Sequence, residues 1–278
     1  MFIDQYESGW INWLDQTAVT IKPPERLILL IDGAFRPGIH RVIRDKINND
    51  HSVCLLFEVI KSCSDDARDV SPLLFEYVPN HLGLQKLLVQ CDGMPMVSAL
   101  ITSESCEMLA ERLAAWCIVE SDDQSFNFRF PDTRRLPGIF RALTQEQQQQ
   151  LAGPCSQWSY IARNGSWQAL PVVSTQTPAA TNTELDALQF AEIIEDCRAD
   201  EILFILASRG QQWPYRHSQL NAIIEHAMTL ARKTQLDETL IIEWCENCLR
   251  GEPEAASILT EQDCLQWAQQ RASELPIT

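Results

Sequence analysis

No glycine-rich loop follows any strand-like run in this chain, and only 10 of its 278 residues are glycine. That excludes a phosphate cradle of the P-loop or dinucleotide-binding kind, whose backbone must approach the ligand closely. There is no G-x-S-x-G, hence no serine on a nucleophile elbow. Histidine is scarce: His40, His51, His81, His217 and His226 are all there are, and none stands beside a nucleophile signature. No apolar run approaches the ~18 residues that a spanning helix needs. The N-terminal MFIDQYESGWINWLDQ lacks the basic and apolar regions of a secretory signal. Positive charge is in deficit, 22 Lys+Arg against 38 Asp+Glu, a net charge of −16. Such a chain repels a phosphate backbone, so generic nucleic-acid binding is excluded. These absences together describe a chain expected to stay in the cytoplasm, away from membranes and nucleic acid.

Cysteine is not lacking. Ten are scattered among apolar neighbours, which reads as reduced thiols and not as a disulfide scaffold. The lone C-x-x-C, Cys245 to Cys248, lies inside the helix-like LIIEWCENCLR. It has neither the second ligand pair of a zinc site nor the strand-to-helix setting of a redox motif. Spacing three places both thiols on one helix face, as core packing would.

RLILLIDGA (26–34) is a continuous aliphatic run ending in Asp-Gly, the pattern of a buried strand closing in a turn. PGIHRVIRDKIN (37–48) has helical spacing, and SVCLLFEVI (52–60) reads as a second buried strand. Strand, helix and strand within about 35 residues predict a βαβ unit with a parallel pair. SPLLFEYVP (71–79) is extended, LGLQKLLVQ (82–90) is an amphipathic helix, and MPMVSALIT (94–102) is a third core strand. Ser103 is the expected cap of the helix in SESCEMLAERLAAWCIV. SFNFRF (125–130) alternates as a half-buried strand, Thr144 caps a short polar helix, and Asn164-Gly165 joins a hairpin. Residues 172–183 carry no charge and are rich in Thr, Ala and Pro, the composition of a linker. Beyond them strand signals vanish, every segment shows a spacing of three to four, and 17 acidic residues face 7 basic ones over 172–278. The expected architecture is an α/β N-terminal lobe (1–171) with a mostly parallel or mixed sheet, the linker, and a smaller, acidic, all-α C-terminal lobe (184–278).

Two groups of residues could carry chemistry. Asp32 and Glu58 end strand-like runs, where ligands gather in α/β sheets, and two carboxylates there could hold Mg²⁺ for phosphoryl transfer or nuclease-like chemistry. Equally, Asp32 is a turn residue and Glu58 pairs with a nearby base. The second group is FRFPDTRRL (128–136). Asp132 can accept from Arg129, from Arg134 or from the amides of the following helix. Such a pair contributes about 1.5–3 kcal/mol if buried and about 0–1 if exposed. The corner is a structural lock, a partner contact, or an anion cradle of Arg134, Arg135 and Arg141. Without a lysine, glycine loop or base, the residues favour the lock. Trp213, in RGQQWPYRH, is either a partner anchor or a lid over the core.

In order along the chain stand Leu30-Ile31-Asp32-Gly33-Ala34, Leu56-Phe57-Glu58, Ser103, Arg129-Phe130-Pro131-Asp132-Thr133-Arg134-Arg135-Leu136, and Gly153-Pro154 with Trp158. This series, over roughly 26–170, resembles a bacterial family first catalogued as a domain of unknown function and regarded as adaptors or chaperones of type VI secretion effectors. The family's arginine motif commonly reads R-F-Y-D-P-R-V-L. Here Pro131, Thr133 and Arg135 replace its aromatic, proline and aliphatic residues, and Val59 replaces a small residue after L-F-E. The resemblance implies a cytoplasmic, non-enzymatic protein without cofactor or metal. It would bind a specific effector encoded nearby and help load it onto the valine-glycine-repeat spike protein. Asp32, Gly33, Phe57, Glu58, Arg129, Phe130, Asp132 and Arg134 are the motif positions it singles out. A toxin inhibitor of the immunity kind is a further expectation that strong acidity suits.

Overall fold

The computed structural model describes residues 3–47, 53–60, 63–251 and 253–274. Among residues used above, Met1, Phe2, Asn48, His51, Ser52 and 275–278 lie outside these. By contact the chain divides into two units between Ile194 and Glu195.

In the first unit, α1 (Trp10–Thr20) leads into β1 (Arg26–Ile31), then α2 (Ile39–Arg44), β2 (Val53–Leu55), α3 (Leu56–Val59), α4 (Asp65–Val70) and β3 (Leu73–Glu76). α5 (Leu82–Leu88), β4 (Val97–Thr102) and α6 (Cys106–Ala114) follow, then the ribbon of β5 (Ile118–Ser121) and β6 (Gln124–Asn127). α7 (Leu136–Ala142), α8 (Gln145–Ala152), β7 (Cys155–Ile161) and β8 (Trp167–Ala169) complete the α/β part. The main sheet has six strands in the order β2-β3-β1-β4-β7-β8.

The expected parallel pair is corrected. β3 lies between β1 and β2 and pairs antiparallel with both, so β1 and β2 run the same way without touching. Every other pairing in this sheet is antiparallel too. The physical reason is burial on both faces. Ile28 and Leu30 enter one core with Leu74, Leu100, Phe130 and Trp158. Leu27, Leu29 and Ile31 enter another with Phe75, Leu84 and Val97. A strand buried on both faces loses its polar alternation, the pattern usually seen in parallel sheets. β2 is also short, because Leu56–Val59 turns into one helical turn.

Local signals decide the element ends. Thr144 caps α8 as expected, in a capping box with Gln147, and Gly165, at φ 81°, closes the β7–β8 hairpin. The cap of α6 is Ser105, whose Oγ accepts from the Met108 amide, and not Ser103. β6 ends at Asn127, three residues before the expected end. The Phe130 amide there donates to Phe128 O and the Asp132 amide to Arg129 O, which bends the chain into successive tight turns.

Residues 172–183 contain no helix and no strand except a single-residue bridge after them at Glu184, yet they are tied to the first unit. The Thr175 amide donates to Gly153 O, and Thr183 Oγ1 to Ile118 O and Ala115 O. Ala180 and Leu185 are buried in the first core. The stretch lies along the α/β unit and leads into α9 (Ala187–Ser208).

In the second unit, α10 (His217–Lys233), α11 (Glu238–Leu249), α12 (Pro253–Ser257) and α13 (Glu261–Glu274) pack with the later part of α9. Leu206, Ile224, Trp244, Leu249, Cys245, Cys248 and Cys264 form their core. No described helix is long and apolar enough to cross a membrane.

Among the described residues, the Glu104–Arg112 ion pair is buried on both sides. Arg112 on α6 donates through Nη2 to Glu104 Oε1 at 2.6 Å, and through Nη1 to Gln150 O and Thr177 O. Gly153 leaves room for it: at φ 55°, a Cβ there would stand 2.4 Å from Arg112 Cζ. Arg112→Met is expected to cost about 3–5 kcal/mol in urea unfolding, because Glu104 is left charged and alone. The double change with Glu104→Leu is expected to cost less than that single change. A double variant at least as unstable as Arg112→Met would show that the cost is lost packing.

Candidate functional site

The site begins where β1 stops. The Asp32 amide donates to Met96 O, and its carboxylate accepts from the Ala34 amide at 3.0 Å. The cap winds Gly33–Phe35 into one 3-10 turn. Gly33 is required by close approach, since a Cβ would lie 2.3 Å from Ser71 O. The turn delivers Phe35, half-buried, beside the loop that follows β6.

That loop is FRFPDTRRL. Its alternation persists beyond the strand: Phe128 and Phe130 are buried, Asn127 and Arg129 exposed. Phe130 meets Trp158 edge-on at 6.5 Å, so two of the motifs join in the core. The Thr133 amide donates to Pro95 O and anchors the loop to the approach to β4. Arg134 forks onto Asp132, Nε to Oδ1 at 3.1 Å and Nη2 to Oδ2 at 2.7 Å, and its amide also reaches Oδ1.

Arg129 does not bond to Asp132. It crosses to Asp32, 97 residues away, with Nη2 2.8 Å from Oδ2. The two groups of candidate residues are therefore partly one cluster. Asp32 is only 2% exposed at its side chain, while Arg129 is 43% exposed. The ring of Phe35 lies 5.6 Å from both the Arg129 and the Arg134 guanidinium carbons. Phe35 was not singled out by sequence reasoning. Its signal was weak, one aromatic in a turn after Asp-Gly. The hollow bounded by Ala34, Phe35, Arg129, Asp132, Arg134 and Arg135 measures about 370 Å³.

Glu58 serves other arginines. Its carboxylate lies 3.3 Å from Arg68 and 3.5 Å from Arg44, on an exposed turn. Asp32 and Glu58 thus each balance a guanidinium, and among the described residues no group of three or more metal-ligating side chains forms. Phe57, half-buried, has its amide on Ser71 Oγ at 3.0 Å. Ser71 accordingly holds two motifs together, its oxygen against Gly33 and its hydroxyl on Phe57. Phe57 lines a groove of about 420 Å³ with Ile60, Ala67, Ile118 and Phe126, where apolar surface predominates.

The remaining candidates sit in the helical unit. Trp213 lies in the loop between α9 and α10, partly buried against the helical core. Cys245 and Cys248 are free and buried, and burial pushes the Cys245 thiol up to about 12. Such thiols are poor nucleophiles and poor ligands at neutral pH.

Burial raises the Asp32 carboxyl above its ordinary 3.8, against the opposing pull of Arg129 and the Ala34 amide. The arrangement can hold two cations in fixed places and leave one of them facing solvent. It offers no base beside a nucleophile among the residues that line the hollow.

Residues 27–150 match the model of a family described as a domain of unknown function, DUF4123. The match runs from β1 into α8, so it contains Asp32, Phe57, Glu58 and the whole 128–136 corner but not the helical unit. Neither the curated proteins nor the solved structures hold a match to this chain.

A double-mutant cycle is expected to couple Asp32 to Arg129 by about 0.5–3 kcal/mol and Asp132 to Arg134 by a similar amount. Coupling of Arg129 to Asp132 instead would mean that the cross-chain pair does not form in solution. The raised Asp32 carboxyl also has a pH signature. The folded state keeps that proton to higher pH than the unfolded chain, so its contribution is complete below about pH 3.8 and is lost as pH rises through the folded pKa. The stability advantage of wild type over Asp32→Asn is expected to shrink as pH rises from about 4 in urea unfolding. An advantage that grows with pH would show that Arg129 outweighs burial.

Proposed function

We propose that this protein is a non-enzymatic adaptor that binds one type VI secretion effector in the cytoplasm and helps load it onto the valine-glycine-repeat spike protein. The observation that carries the proposal is the groove beside the Leu56-Phe57-Glu58 motif. It is open, about 420 Å³, and lined mostly by apolar side chains, including Ile118, which is 46% exposed. Exposed apolar surface of this kind suits a polypeptide partner, whose burial there contributes about 25 cal/mol per Å². The order of the motifs over roughly 26–170, and their resemblance to the adaptor family, support the same function. Metal-dependent phosphoryl transfer gains no support from Asp32 and Glu58, which answer to different arginines.

The test is affinity capture of the tagged protein from its native cytoplasm, followed by mass spectrometry. One large effector is expected, with or without the spike protein. Ile118→Glu is expected to reduce that recovery at least about tenfold with unchanged melting, since a charge would be left in the apolar contact. An effector that stays stable and is delivered normally in a deletion strain would overturn the proposal.

A further inference from the structure

The hollow at the FRFPDTRRL corner is a cationic place on an acidic protein. Arg129, Arg134 and Arg135 line it, with Asp132 paired to Arg134 in its wall and Asp32 paired to Arg129 behind it. We infer that it is a receptor for a single carboxylate, the side chain of an aspartate or glutamate in a bound polypeptide, gripped by the outward edge of Arg129.

Three observations support this. First, Arg129 donates to Asp32 through Nη2 alone. Its Nε and Nη1 make no hydrogen bond among the described residues, and its side chain is 43% exposed. A planar guanidinium with open N–H groups matches a planar carboxylate better than any neutral group. Second, the cation is held before a ligand arrives. Asp32 is buried beneath it, and Phe35 lies 5.6 Å from its guanidinium carbon. A donor already fixed loses little freedom on binding. Third, charge selects the ligand. The outward edge of Arg129 offers one planar pair of N–H groups, which suits one carboxylate. A phosphate ester carries about two negative charges and would meet the Asp132 carboxylate in the wall.

That the carboxylate belongs to an effector rests on the adaptor proposal; the carboxylate chemistry does not. The test therefore uses no effector. The full chain, ¹⁵N-labelled, is titrated with N-acetylglutamate methylamide, with the matching glutamine compound, and with inorganic phosphate. The Arg129 Nε–H and Ala34 amide resonances are followed. A saturable shift with the glutamate compound and none with the glutamine compound is expected. Arg129→Lys keeps a cation against Asp32 but loses the planar fork, and is expected to weaken binding about tenfold. Equal response to the two compounds, no saturable response, or tighter binding of phosphate would each overturn the inference. If Arg129→Lys does not fold, the wild-type comparison alone decides. Failure here leaves capture of the effector at Ile118 untouched, and failure of capture leaves a carboxylate site without that partner.

Discussion

A carboxylate that is almost fully buried must be met by a cation, and Asp32 is met by one from 97 residues away. The Asp32–Arg129 contact joins the end of the central strand to the loop after β6. Around it the other parts find their places. Phe35 rides on the turn that Asp32 caps, Phe130 drops into the core one residue beyond Arg129, and Asp132 holds Arg134 within 5.6 Å of the same ring. The Asp32–Arg129 contact ties the loop to the sheet and not merely to itself.

Ser71 does for the second pair of motifs what Asp32 does for the first. It sits against Gly33 so closely that no side chain fits there, and it receives the Phe57 amide. The acidic turn at Glu58 and the aliphatic strand end at Ile31 are separate in sequence and tied through one buried serine. The apolar groove at Phe57 and the cationic hollow at Phe35 both belong to the α/β unit, and the segments that form them are tied to it through Ser71, Asp32 and the Thr133 amide.

The buried Glu104–Arg112 pair is a third such device. Just before the Ser105 cap of α6 stands Glu104, a carboxylate that must be satisfied, and Arg112 answers it from two turns along. The same guanidinium holds carbonyl oxygens of α8 and of the 172–183 stretch, which is one reason that stretch follows the unit's surface.

The amino-acid sequence by itself determined the elements. Aliphatic runs became strands, Thr144 and the Asn164-Gly165 turn acted where they stand, and 3.6-residue spacing made the C-terminal part helical, because capping, turn geometry and periodicity act over a few residues. The tertiary structure alone decided which strands are neighbours. Burial on both faces erases the alternation that marks an antiparallel strand, so Leu73–Glu76 could not be recognised as the strand between β1 and β2. It alone decided the partner of Arg129 as well. The local options, Asp132 and the helix amides, were all legible, but Asp32 is near only after the sheet has formed. Phe35 and Ser71 were missed for the same reason: each is an ordinary residue in its own segment, and its role comes from what the fold places against it.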